Sequence, residues 1–295
     1  MSTSKAPQIY SIGDKHKLKP YEFSAGDELS DLIRDPRGVV WMWEPPRPTA
    51  SYVMGIDVSY GIPNWSRTSR SRDDYKTDNG VISIVRCGES GLPDHQVAEY
   101  AAPVDPEILA DIANALGRVY AGKDHDDNDG QCRCIIEAFP GPGFMTQQRM
   151  LSVHGYTNHY RWTTFGDIVP SQTPHLGWRS GRESVPILWM RGTRHIQLNK
   201  IRLNSPALIE EMSNAEMDVD RARGRAIYGA HDDRVTAILL AIWFANQWSL
   251  EVETERTEVR TSDQDDSSGN WQASAITAED MYDAWSERFD SFLGD

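Results

Sequence analysis

The sequence has no run of about 18 apolar residues, the length one membrane crossing needs, so a spanning helix is not expected. Its opening stretch, MSTSKAPQIYSIGDKHKLKP, lacks the apolar centre of a secretory signal, and a soluble, intracellular protein is expected. Cysteine is scarce. Cys87, Cys132 and Cys134 are too few and too unevenly placed for a disulfide framework, and Cys-Arg-Cys lacks the second half of a zinc site. Buried thiols on strands are expected instead. A nucleotide-binding loop is missing too. The nearest stretch, GRVYAGKD (117–124), has no Ser or Thr after Lys123 and ends a helix where such a loop should follow a strand, so no ATPase motor is expected in this chain. No internal repeat stands out.

Positive charge is short overall, with a formal net of −14, but the deficit is local. Residues 251–295 hold 13 acidic and 3 basic side chains, a net of −10, which leaves only −4 on the first 250 residues. A segment so charged reads as a solvated tail, and the nearly balanced body remains compatible with a polyanionic substrate. Within the tail, 276–293 could form a short amphipathic helix, with Met281, Trp285, Phe289 and Phe292 along one side. Residues 1–50 are polar and end in WMWEPPRPTASY, where Pro45, Pro46 and Pro48 suggest an extended linker. Three parts are therefore expected: a linker over 1–50, one domain over 51–250, and the acidic tail over 251–295.

What the body does contain is an alternation of strands and helices. YVMGIDV (from Tyr52), GVISIVRC (80–87), QVAEYAA (96–102) and CRCIIEA (132–138) have strand composition. DPEILADIANALGRVYA (105–121) begins with Asp105 as a cap and Pro106 at the first helical position, followed by a stripe at Ile108, Ile112 and Leu116. A second helix is expected from about Phe144 to His154. A third follows Asp232 and Asp233, with Val235, Ile238, Leu239, Ile242 and Ala245 at helical spacing. This order implies a mixed α/β sheet flanked by helices.

Acids fall where these elements end. Asp57 closes the first strand, Glu137 the fourth, and Asp232-Asp233 opens the last helix. One acid at a helix N-terminus is ordinarily a cap, and one acid at a strand end is ordinarily a loop residue. Two adjacent acids exceed what a cap needs. Carboxylates gathered in one cleft repel each other unless cations sit between them, and hard oxygen ligands favour Mg²⁺ or Mn²⁺.

The stretches MGIDVSYG, DYKTDNGVISIVR, CIIEAFPGPG, HLGWRSGRES, SPALIEEM and GAHDDRVTAILLA, in this order over about residues 41–248, resemble the nuclease domain of tailed-bacteriophage terminase large subunits. HDD leading a helix of small apolar residues is the most specific piece. Two features depart from the family: NWSRTSRSRD (64–73) lengthens a connection that is a short glycine turn in many relatives, and Phe139 stands where they often have Asn.

The resemblance implies a ribonuclease H-like fold with a mixed five-stranded sheet. It also implies a metal-dependent endonuclease that cuts concatemeric double-stranded viral DNA during genome packaging in the cytoplasm of an infected bacterium. The implied ligand set is Asp57, Glu137 and Asp233, with Asp232 as a fourth; Asp57 would bridge two Mg²⁺ or Mn²⁺ ions. Implied partners are a terminase small subunit, a portal protein and an ATPase motor domain or subunit.

Duplex contacts are expected from arginines beside the motifs: Arg67, Arg70 and Arg72, then Arg179 and Arg182, then Arg221, Arg223 and Arg225. His231 is expected to orient an acid or a water, or to make a structural hydrogen bond. Three other readings stay open at this point. Another ribonuclease H-like enzyme, such as a junction resolvase or transposase, would share the acids. An actin- or sugar-kinase-like domain would need a second glycine-rich loop that is not found. A non-catalytic packaging scaffold would use the acids merely as caps.

Overall fold

The computed structural model describes residues 38–60, 78–89, 92–124, 130–139, 141–162, 175–182, 184–218, 223–226 and 231–246, together with strands over 8–12 and 32–34. The strands are β1 (Gln8–Ile12), β2 (Leu32–Arg34), β3 (Val40–Met42), β4 (Tyr52–Asp57), β5 (Gly80–Arg86), β6 (Asp94–Ala102), β7 (Arg133–Phe139), β8 (Arg161–Trp162), β9 (His175–Leu176), β10 (Trp178–Arg179), β11 (Ile201–Arg202), β12 (Ala215–Asp218) and β13 (Arg223–Ala226). The helices are α1 (Pro106–Val119), α2 (Gly143–Ser152), α3 (Ser184–Gln197), α4 (Pro206–Ser213) and α5 (residues 233–246).

Five strands in the order β6-β5-β4-β7-β10 make the centre of the sheet. β4, β5 and β6 form an antiparallel meander, whereas β7 runs parallel to β4 and β10 parallel to β7. This is the ribonuclease H-like mixed arrangement. The sheet is larger than the five strands expected, because β3, β1 and β2 continue it beyond β6 and β11 adds to the other end of β6, for nine in all. β1, β2 and β3 come from the stretch expected as a linker.

Both faces are covered, as near-continuous apolar strands require. One core joins Tyr52, Met54, Ile56, Cys134 and Ile136 to α1 and α2 through Leu109, Leu116 and Met150. The opposite core joins Val53 and Ile135 to α3, α4 and α5 through Leu188, Leu208, Ile238 and Ile242. The three cysteines are buried, as expected of thiols on or beside strands.

α1 starts as expected, with Asp105 accepting the Glu107 N–H at 2.8 Å and Pro106 in the first turn. Its buried stripe, however, is Leu109, Ile112, Ala113 and Leu116, while Ile108 is exposed. Ile112 and Leu116 are thus buried as expected, and at the head of the stripe Leu109 rather than Ile108 enters the core. α5 carries Val235, Ile238, Leu239, Ile242 and Ala245 inward as expected, and Ala237, Leu240, Ala241 and Trp243 are buried as well. A helix apolar all round is an interior rod. No described helix is long and apolar enough to cross a membrane.

Candidate metal centre

The pleat of β4 decides where its acid points. Alternate residues face opposite sides, so Val53, Gly55 and Asp57 share the face covered by α5. β7 runs beside β4 in parallel with Ile56 opposite Ile136, which sets Glu137 abreast of Asp57 one step further on. Gly55 is the crossing point for α5. A Cβ there would lie 2.1 Å from the Ala237 carbonyl oxygen and 2.7 Å from the Ala241 nitrogen. Backbone thus packs on backbone, and the helix begins one turn before Ala237, at Asp233, over the end of β4.

Two further glycines seat Glu137. A Cβ on Gly143, the first residue of α2, would overlap the Glu137 carbonyl oxygen, so only glycine lets the helix start that close. Gly177, at φ +82, brings β10 against Ala138 and the Ile136 carbonyl. The elements around the acids are held by close backbone approaches on three sides.

The electrostatic result is a crowded set of acids. Burial pushes the Asp57 carboxyl well above the usual carboxylate range, and the charges of Glu137 and Asp233, a hydrogen bond with Glu137 and then the charge of Asp232 push it further. Burial also raises Asp233, to about 6. The Asn79 N–H, which it accepts at 2.9 Å on Oδ2, and His231 work against that rise, while Asp78 and Glu211 add to it. His231 Nδ1 lies 3.5 Å from Asp233 Oδ2 and 3.8 Å from Asp78 Oδ1. Asp78, His231 and Asp233 each offer a ligand atom, all within 4.8 Å of one another.

The Asp232-Asp233 pair divides its labour. The Asp232 carbonyl accepts the Thr236 N–H at 2.9 Å and so begins the helix through backbone. The Arg234 N–H in the first turn goes to Glu211 Oε2, also at 2.9 Å. A carboxylate from α4 thus caps this helix end, and Asp233 binds the entry of β5 through Asn79 instead.

Asp57, Glu137, Asp232 and Asp233 therefore come together, and His231 joins them. Asp78 was missed in the sequence, although it lies within the quoted DYKTDNGVISIVR. The Asp57–Val81 register of the β4–β5 hairpin carries it back to the acidic end. Arg179 is exposed on β10, next to Trp178 of the Trp178–Glu137 pair and itself opposite Phe139, and Arg182 is exposed in the turn before α3. Arg223 and Arg225 lie on the β12–β13 hairpin, opposite Asp218 and Glu216. Arg67, Arg70, Arg72 and Arg221, like the acidic tail, lie outside the described residues.

The donor set is carboxylate oxygen with one imidazole, which suits a hard or borderline divalent ion. Burial first and then the neighbouring acids raise Asp57, and a divalent cation held by such a set would oppose both.

No protein-family model and no curated protein matches the sequence. Among solved structures, the fold is similar to the large terminase nuclease from thermophilic phage G20c with bound cobalt, at 15% identity and a TM-score of 0.48, over 80% of this chain and 97% of that one. The same nuclease with bound magnesium gives 15% identity and a TM-score of 0.46 over the same shares. The Thermus phage P74-26 large terminase nuclease domain gives 15% and 0.42, over 78% of this chain and 93% of that one.

Proposed function

We propose that this chain is a metal-dependent DNA endonuclease of the terminase large-subunit kind, hydrolysing phosphodiester bonds of double-stranded viral DNA during packaging. One observation carries the proposal. The strand end at Glu137 and the helix start at Asp232-Asp233 bring three carboxylates to bear on Asp57 at one end of the sheet, and all three oppose its ionisation. Such crowding of like charges works against the ionised state, and divalent cations would relieve it.

Asp57, Glu137, Asp233 and Asp232 would hold the ions, and Asp78 and His231 would complete the Asp233 side. When bound, Mg²⁺ or Mn²⁺ ions supply a nucleophilic water at neutral pH and charge stabilisation at the leaving 3′ oxygen of an in-line displacement. The residues provide position. Asn79 fixes the Asp233 carboxylate through its N–H. His231, with Nδ1 beside both Asp78 and Asp233, would hold an ion together with them or orient their carboxylates. Arg179 and Arg182, exposed next to the Glu137 strand, would contact backbone phosphate without reading sequence. The small subunit, portal and ATPase motor implied by the sequence resemblance would be the partners of such a nuclease.

Plasmid digestion in Mn²⁺, Mg²⁺ or EDTA tests this directly. Nicking and linearisation with either ion and none in EDTA is expected, with DNA affinity falling steeply as salt rises. Cutting that persists in EDTA, or an Asp57→Ala protein that cuts like the parent, would overturn it.

A further inference from the structure

A second acid cluster lies one pleat away from the first on the same face of the sheet. Gly55 of β4 pairs with Ser83 of β5, and Ser83 pairs with Glu99 of β6, so Glu99 shares the row of Gly55 beneath α5. Arg234, the residue after Asp233, donates Nε to Glu99 Oε1 at 3.0 Å and Nη1 to Glu211 Oε1 at 2.6 Å. Its backbone N–H also reaches Glu211, as described above.

The network continues into both partners. Glu99 accepts from Ser205 Oγ at 3.0 Å and from Gln96 Nε2 at 3.2 Å, and Ser205 also caps α4 by accepting the Leu208 N–H. Gln96 Oε1 accepts the N–H groups of Asn204 and Ser205. Glu99, Gln96, Ser205 and Glu211 are all buried.

We infer that Arg234 is a positioning residue for the metal centre, fixing the rotation and depth of the first turn of α5 so that Asp233 faces Asp57. Successive residues on a helix project about 100° apart. With Arg234 held on two carboxylates and its own N–H on one of them, the direction of Asp233 is no longer free. Gly55 fixes the middle of the helix and the Glu99–Arg234–Glu211 bridge fixes its mouth. Arginine is needed because its planar fork reaches two acids at once, which a lysine ammonium at the end of a flexible stem does not reproduce.

This inference rests on the metal-centre reading above, and one experiment separates the two. Mn²⁺ binding to the full chain without DNA is measured by calorimetry for the parent, Arg234→Lys and Glu211→Gln, with melting temperature and metal-titrated cleavage alongside. Glu211→Gln is the milder change, since it keeps an oxygen for the Arg234 N–H, and it carries the test if the lysine variant does not fold.

The expected result is a roughly tenfold weaker Mn²⁺ affinity in the variants, as for other residues that orient metal ligands. Cleavage should recover towards the parental maximum as Mn²⁺ is raised. Variants that melt earlier yet bind Mn²⁺ like the parent would overturn the inference and leave Arg234 a purely structural bridge. A parent that binds no Mn²⁺ would overturn the metal-centre reading itself, and this inference with it.

Discussion

Two groups of acids flank the mouth of α5, one buried and one half-buried, and they are treated in opposite ways. Glu99 and Glu211 share Arg234, and every oxygen described for them has a donor: Ser205, Gln96, or the Arg234 backbone and guanidinium. Asp57, Glu137 and Asp233 have mainly one another, with Asn79 and His231 at the edge. Burial raises Glu99, and Arg234 pulls back against it; burial raises Asp57, and its neighbours push further. For Arg234, burial works against the charge, but Glu99 and Glu211 outweigh that and its pKa is raised. A carboxylate cluster that folding requires carries its cation within the chain. One that has no lysine or arginine partner among the described residues, on the same face of the same sheet, is what the proposed metal-centre reading requires.

The contrast is broken most severely at Asp57. Asp57→Ala is expected to reduce plasmid cutting to the level seen in EDTA, because the carboxylate at the centre of the proposed metal site is lost, while the fold persists. Without metal its melting temperature should rise, since mutual repulsion is relieved. Cleavage assays and thermal melts on the same preparations check both signs.

The matching change in the other cluster should go the opposite way. Arg234→Met leaves Glu99 and Glu211 buried without their cation, and such a loss costs about 3–5 kcal/mol. Urea titration should show a lower midpoint for this variant and a slightly higher one for Asp57→Ala in EDTA. If both variants shifted in the same direction, the two clusters would not differ as described.

Next in size is the effect of the ion. Mn²⁺ at about 100 times its dissociation constant should add about 2.7 kcal/mol to the parent by mass action, or roughly 5–10 °C in melting temperature for a domain of this size. Asp57→Ala should gain little. Glu44 and Asp111, acids with arginine partners elsewhere in the fold, should be irrelevant to that gain when replaced by their amides.

These two clusters were unequally legible in the sequence. Asp57, Glu137 and the Asp232-Asp233 pair could be read because each stands where an apolar run begins or ends, and because a second adjacent acid exceeds what a cap uses. Asp78 was missed because an acid in a polar stretch before a strand looks solvated; only the β4–β5 register returns it to the site. Glu99 in QVAEYAA looks like the water-facing residue of an alternating strand, yet that face is covered by α4 and α5. No local pattern reveals which face a distant helix will cover. The same holds for β1, β2, β3 and β11, whose strand character comes from pairing with a sheet edge rather than from their own periodicity. The meander of β4, β5 and β6 was readable because its strands carry long apolar runs.

The smallest expected effect concerns protons, and it sharpens the comparison by its sign. In the folded chain without metal, Asp233 titrates at about 6, above an ordinary carboxylate near 4. Between those values the native state binds more protons than the unfolded chain, so the contribution of this group to stability falls as pH rises from about 4 to about 6 and is level beyond. The shift by itself sets a ceiling of about 3 kcal/mol, and water in an open cleft reduces this to the order of 1 kcal/mol. Asp233→Asn removes the titration. In EDTA the variant should therefore gain on the parent across that window and hold a constant lead above it, as read from denaturation midpoints at successive pH values. Added Mn²⁺ reverses the order for the parent, because the ion competes with the proton for the same oxygens and binds better as pH rises through about 6. A parent–variant difference that stayed flat from pH 4 to 7 in EDTA would mean that Asp233 is an ordinary solvated acid, and the unpaired character assigned to its cluster would fail there.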